Sequence, residues 1–112
     1  MTVLLLDDER SFKNGRRSFV ARTVDKAIEL TDPLDELDEL WLDYVLAGWA
    51  STDEFLYHLL KRKREGNPLV LKTVYIHTSS FSAVELLQKL LSDLEVPAKD
   101  IIVVNYKDYM ND

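Results

Sequence analysis

The sequence contains no cysteine and has only three glycines and three prolines among its 112 residues. Without cysteine the chain has no disulfide, no thiolate metal ligand and no cysteine nucleophile, and this composition suits a reducing cytoplasm. Apolar runs such as VLLL and IIVV are too short to span a membrane. Asp7 follows the N-terminus too closely for a secretory signal peptide. We therefore expect one cytoplasmic domain over residues 1–112.

Basic residues are also in the minority, with 14 against 20 acidic residues and a net charge of −6. Duplex DNA therefore has no general electrostatic reason to bind. The main basic cluster, Lys61–Arg64, lies at the end of a predicted helix, where cations face the negative end of the helix dipole. We interpret this cluster as a solvent-exposed helix end, with a local anion-binding patch as the alternative.

Short apolar runs bounded by charges predict five strands, at residues 3–6, 18–22, 40–42, 74–76 and 101–104. Three helices are predicted between them. Thr23 is the predicted N-cap of a helix from Val24 to Leu30. Capping-box patterns at Ser51–Glu54 and Ser82–Glu85 indicate two more helices, which end before Gly66 and before Pro97.

Three segments have no clear helical or strand pattern. Residues 9–17 are polar and show no helix, residues 34–39 are ambiguous, and the tail after about residue 105 is expected to be loosely packed. The alternation of short apolar strands with helices indicates an α/β domain. Its parallel sheet should be covered on both faces and have right-handed crossovers.

Polar side chains directly follow the predicted strands. Asp7 and Asp8 follow the first, Asp43 the third, His77 and Thr78 the fourth, and Asn105 the fifth, with Lys107 shortly after. In an open parallel sheet the carboxyl ends of the strands meet at one edge, and ligands bind there. These side chains are therefore the candidate functional residues.

Three carboxylates at one edge repel one another by roughly 3 kcal/mol per pair at ~5 Å and an effective dielectric constant of ~20. A cation among them removes that cost. Oxygen ligands suit Mg²⁺, which would be held by Asp7, Asp8 and Asp43 and would keep positions open for a phosphate. Thr78 can donate a hydrogen bond to that phosphate, and Arg10 or Lys107 can neutralise it.

The segments LLLDDER, LWLDYVL, VYIHTSS and IIVVNYK are similar to the receiver domains of two-component response regulators. This resemblance implies a doubly wound, flavodoxin-like sheet of five parallel strands in the order 2-1-3-4-5. It also implies an acidic pair at Asp7 and Asp8, a phosphoacceptor at Asp43, a hydroxyl at Thr78 and a lysine at Lys107.

One branch of that family is more similar still, namely the receiver-like domains proposed to process cyclic phosphates in RNA repair. They lack the first helix, and residues 9–17 of this chain likewise show no helical pattern. The segments LDDER, LDYVL and IHT resemble their motifs. The resemblance implies a metal-dependent phosphoesterase with Asp43 and His77 as catalytic residues, acting on a phosphate-bearing small molecule or RNA end. Tyr44 and Val45 depart from the family's His-Asp, so two groups capable of acid–base chemistry are missing.

Two other functions remain open on the sequence. Asp43 could be phosphorylated as in a receiver switch, or the domain could be a degenerate receiver that binds a protein partner or a second copy of itself. Trp49, beside Gly48, could stack on a base, whereas Trp41 and Tyr75 are expected in the core.

Overall fold

The computed structural model describes residues 1–43, 52–78 and 80–111. Along the chain the elements are β1 (Val3–Leu6), β2 (Ser11–Phe12), β3 (Phe19–Ala21), α1 (Val24–Thr31), β4 (Glu36–Leu42), α2 (Thr52–Arg64), β5 (Val70–Ile76), α3 (Phe81–Asp93), β6 (Ile101–Val103) and β7 (Met110–Asn111). Short 3₁₀ turns occur at Lys13–Gly15, Ala98–Asp100 and Tyr106–Asp108. No helix among these residues is long and apolar enough to cross a membrane.

Five strands form one parallel sheet in the order β3-β1-β4-β5-β6. Counted by themselves these strands have the order 2-1-3-4-5, so the predicted α/β receiver-like fold is confirmed. β2 and β7 form a separate antiparallel pair. Within residues 1–43, β2 and a 3₁₀ turn stand where a receiver has its first helix, so the predicted lack of that helix is confirmed.

The two faces of the sheet are covered by different kinds of structure. Three crossovers, through α1, α2 and α3, step in one direction across the sheet, so right-handed connections place all three helices on one face. Their buried side chains pack in a single cluster with Leu4, Leu6, Leu40 and Leu42. The connection from β1 to β3 steps the other way, and it carries β2 over the opposite face.

The opposite face has an aromatic core. Since strand side chains alternate, Leu5 of β1, Trp41 of β4 and Tyr75 of β5 are neighbours on this face. Trp41 stacks on Tyr75 with ring centroids 4.1 Å apart and meets Phe12 of β2 edge-on at 5.0 Å. Met110 of β7 completes the cluster. The β2–β7 pair thus covers the aromatic face, and we call it the cover strands.

The helix and strand bounds correct several details of the sequence prediction. β4 begins at Glu36 because Leu37 and Leu40 are buried, so the ambiguous residues before the predicted strand belong largely to it. The predicted capping box at Ser82 is wrong, since the Oγ atom of Ser80 accepts the N–H of Ala83. Thr23 caps α1 as predicted. Ser51 lies outside the described residues.

The tail is packed where loose packing was expected. Met110 is 2% exposed and lies against the aromatic core. The Lys13 N–H donates to the Tyr109 carbonyl at 2.9 Å, which adds to the pairing of the cover strands. A short segment with one buried methionine has little apolar pattern of its own, and only its pairing with β2 makes it regular.

Arg62 corrects the interpretation of the basic cluster. It is 5% exposed, and its guanidinium donates to the carbonyls of Asn67, Thr31 and Leu34 at 3.0 to 3.1 Å. Thr31 is the last residue of α1, where carbonyls lack helical partners. Arg62 therefore ties α2 to the end of α1, while its neighbour Lys61 is exposed.

We expect Arg62→Met to lower the free energy of unfolding by about 3 kcal/mol, because three carbonyls, one in a buried and two in partly buried hydrogen bonds, lose their charged donor. Lys61→Met removes the same charge from an exposed position and should change stability by less than about 0.5 kcal/mol. Urea unfolding of both variants measures the difference. If Arg62→Met and Lys61→Met lowered the stability equally, the hydrogen bonds of Arg62 would contribute nothing beyond its charge.

We expect Met110→Ala to lower the free energy of unfolding by about 2 kcal/mol, because it leaves a cavity beside Trp41. The exposed neighbour serves as the control, and Asn111→Ala should be within about 0.5 kcal/mol of the wild type. Thermal unfolding followed by tryptophan fluorescence reports both. A Met110→Ala protein as stable as the wild type would mean that the tail is not packed in solution.

Candidate functional site at the carboxyl edge of the sheet

Asp7, Asp43 and His77 each follow their strand by one residue and continue its hydrogen-bond ladder. Their amides donate to the carbonyls of Ala21, Leu6 and Leu42, respectively, at 2.9 to 3.1 Å. Because strand side chains alternate, all three side chains lie on the aromatic face. Each comes two residues after Leu5, Trp41 or Tyr75, respectively. The His77 ring lies 6.4 Å from that of Trp41.

The carboxylate of Asp7 is fully buried and hydrogen-bonded at both oxygens. Oδ1 accepts the amides of Glu9 and Arg10, each at 2.9 Å. Oδ2 lies 3.0 Å from Nε2 of His77. Burial alone would raise the pKa of Asp7, but these hydrogen bonds and the nearby imidazole lower it to about 2 from the ordinary 3.8. Asp7 is therefore ionised at neutral pH.

This hydrogen bond fixes one proton of His77. An ionised carboxylate only accepts, so Nε2 of His77 must donate to Asp7. The other ring nitrogen, Nδ1, is buried and has no hydrogen-bond partner among the described residues. His77 is 2% exposed, so an unsatisfied ring nitrogen here is costly unless something binds it.

Arg10 lies between the two carboxylates. Its Nη1 atom is 3.4 Å from Oδ2 of Asp7 and 3.4 Å from Oδ2 of Asp43. The guanidinium also covers the ring of Tyr106, with Cζ 3.7 Å from the ring centroid. Arg22 holds the loop beneath it by donating to the carbonyls of Asp7 and Arg10. The positive charge of Arg10 offsets the repulsion that the sequence predicts between the aspartates.

A pocket of about 480 Å³ opens beside this cluster and is lined by Arg10, His77, Thr78, Val104, Asn105, Tyr106 and Lys107. All three residues predicted to bind phosphate therefore line one cavity. Tyr106 was not predicted as a site residue, although it lies one residue from Lys107 and follows a strand like the other candidates. Its stacking on Arg10 depends on a contact between distant parts of the chain.

The structure brings together some, but not all, of the predicted metal ligands. Single ligand atoms of Asp7, Asp43 and His77 lie within 4.8 Å of one another. Asp8 is not in this group, although it shares the charged stretch with Asp7. Tyr44, Val45 and Trp49 lie outside the described residues.

The donor set fits a hard divalent cation in one arrangement. Oδ2 of Asp7 and Oδ2 of Asp43 both face the guanidinium of Arg10, so a cation between the two oxygens would take the place of that group. Two carboxylates with water in the remaining positions suit Mg²⁺. Nε2 of His77 is engaged as a donor to Asp7, so His77 fits better beside the cation than on it.

The fold and this carboxyl-edge cluster define a receiver-like domain. Residues 2–93 match the family model described as the cyclic-phosphate processing receiver domain. The match covers most of the chain, and the chain belongs to that family. No curated protein and no solved structure matches it. Tyr106 and Lys107, which line the pocket, lie beyond the matched range.

Because the folded state lowers the pKa of Asp7, the stabilisation from its charge is present above pH 4. It is lost as the pH falls through about 2. We expect the free energy of unfolding to fall by about 2 kcal/mol more in the wild type than in Asp7→Asn over that range. Denaturant unfolding in the presence of a chelator measures it.

Asp8→Asn is the matched control, since it removes a neighbouring carboxylate from outside the cluster, and it should keep the wild-type pH dependence. Parallel pH profiles for the wild type and Asp7→Asn would show that Asp7 is not held in this hydrogen-bonded state.

Proposed function

We propose that this domain binds Mg²⁺, or another hard divalent cation, on Asp7 and Asp43. We propose that it binds a cyclic phosphate ester in the adjoining pocket. One observation carries the proposal. Two carboxylates and an imidazole converge at the carboxyl edge, next to a cavity lined by Arg10, Thr78 and Lys107. The family to which the chain belongs is described by the processing of such ligands.

The pocket side chains supply what a phosphate needs. Lys107 and Arg10 bring positive charge to the cavity, and the hydroxyl of Thr78 is a hydrogen-bond donor beside them. The ring of Tyr106 adds an apolar surface on which the rest of an ester can pack. A mononucleotide with a cyclic phosphate, or an RNA end that carries one, combines these features.

We propose ring opening by water as the reaction. Water adds to phosphorus, one ester P–O bond of the ring breaks, and the leaving oxygen is protonated, so that one water is consumed. A bound Mg²⁺ would neutralise charge on the phosphate and lower the pKa of a bound water. Asp7 holds the Nε2 proton of His77, which leaves Nδ1 as the ring atom that can accept a proton from water.

Asp43 is the more accessible of the two carboxylates. Its side chain is 16% exposed, whereas that of Asp7 is fully buried. A cation from solvent therefore reaches Asp43 more readily than Asp7. Asp43→Asn keeps the shape and removes the charge, and this makes it the sharpest test of the site.

We expect Mg²⁺ to stabilise the wild type by about 2.7 kcal/mol at a hundredfold excess over the dissociation constant. Asp43→Asn should lose most of that effect. The melting temperature and the fluorescence of Trp41, in a Trp49→Phe background, report binding. Asp35→Asn, an exposed aspartate before β4, is the control for charge alone and should respond like the wild type.

The reaction is tested with 2′,3′-cyclic AMP and phosphorus NMR, which separates the ring-opened monoesters from the substrate. Ring opening that requires Mg²⁺ and is lost in Asp43→Asn supports the proposal. A flat response of the wild type to millimolar Mg²⁺ contradicts it, whatever the NMR spectrum shows.

A further inference from the structure

Arg10 stands at the position that a cation on Asp7 and Asp43 would occupy. Its two contacts with the carboxylates are both 3.4 Å long. Charge-assisted hydrogen bonds are usually 2.7–2.9 Å, and Arg16 reaches Glu39 at 2.6 Å in the same protein. These two contacts of Arg10 are therefore weaker than a close ion pair, and less is lost when they are broken.

The same guanidinium also lines the pocket. It covers the ring of Tyr106, and Tyr106 and Lys107 line the same cavity. A short movement over that ring would carry the charge from the carboxylates to an anion in the pocket. A cation–π contact tolerates such sliding better than a bidentate ion pair, because the ring face offers no fixed acceptor atoms.

We infer that Arg10 is a built-in competitor of the metal and that it couples metal binding to phosphate binding. The inference rests on the proposed function. With the site empty of ligands, Arg10 neutralises Asp7 and Asp43. A cation that binds there expels Arg10 towards the pocket, where it meets the phosphate.

The coupling runs in both directions. A phosphate that attracts Arg10 uncovers the carboxylates and tightens metal binding, and by thermodynamic linkage the metal tightens phosphate binding by the same factor. Either ligand alone must displace an existing contact, whereas the two together satisfy every charge. The site should therefore bind metal alone, but more weakly than it binds metal together with phosphate.

Lys107 provides a matched comparison. It carries the same charge as Arg10 and lines the same pocket, and it is exposed. Its backbone carbonyl accepts from Lys13, and no contact with Asp7 or Asp43 occurs among the described residues. Both positions contribute charge to the phosphate, but the inference assigns competition with the metal to Arg10.

The experiment titrates Mg²⁺ into the wild type, Arg10→Met and Lys107→Met, each with and without inorganic phosphate. Calorimetry and the fluorescence of Trp41 report binding. We expect Arg10→Met to bind Mg²⁺ about tenfold more tightly without phosphate, and Lys107→Met to differ from the wild type by less than about twofold. Phosphate should tighten Mg²⁺ binding in the wild type and do so far less in Arg10→Met.

The outcomes separate the two proposals. Equal Mg²⁺ affinity in the wild type and Arg10→Met overturns the role of Arg10 and leaves the metal site standing. Equal tightening in Arg10→Met and Lys107→Met also overturns it, because the effect would then be one of general charge. Binding to Arg10→Met and not to the wild type supports the competitor role and contradicts metal binding by the unaided wild type. No binding by any variant overturns both.

Discussion

The fully buried negative charge of Asp7 is the constraint on which the arrangement of the carboxyl edge depends. A buried carboxylate is tolerated only when its lone pairs are filled, and here the donors come from separate parts of the chain. Two are amides of the loop after β1, a third is the imidazole after β5, and Arg10 adds its side chain. Satisfying this one group positions the loop, the histidine and the arginine together.

The handedness of the crossovers decides what surrounds that group. Since α1, α2 and α3 all lie on one face, the other face is covered by short strands and aromatic rings. Asp7, Asp43 and His77 turn to this second face. The pocket is therefore lined by Arg10, by the residues after β5 and by those after β6, and none of its lining residues belongs to α1, α2 or α3. Side chains on short segments can rearrange around a ligand more readily than those of a packed helix.

Much of the fold could be predicted from local patterns. Apolar runs bounded by charges identified the five parallel strands, and the residues directly after three of them, Asp7, Asp43 and His77, lie together at one edge of the sheet. The sequence could not separate Asp7 from Asp8, because β1 is buried on both faces and its apolar pattern shows no preferred side. Only the folded structure, in which helices cover one face of the sheet and the cover strands the other, shows that Asp7 belongs to the cluster.

Contacts between distant segments could not be predicted from the sequence either, because no local pattern indicates them. Nothing near Arg62 in the sequence indicates that the carbonyls of Thr31 and Leu34 need a donor. Likewise, nothing near Met110 indicates that it pairs with Phe12. A single charged or apolar residue in a polar stretch has many equivalent interpretations. The tertiary structure selects one.

The cover strands have a consequence for the local opening of the fold. Ser11 pairs with Asn111, so this contact closes a loop of nearly the whole chain, whereas the parallel sheet and its helices join nearer neighbours. Long-range contacts of this kind form late in folding, and a two-residue pairing is among the first to open. The scaffold can stay folded while the cover strands separate. This local opening uncovers Trp41 and the rest of the aromatic face at a small fraction of the free energy of global unfolding.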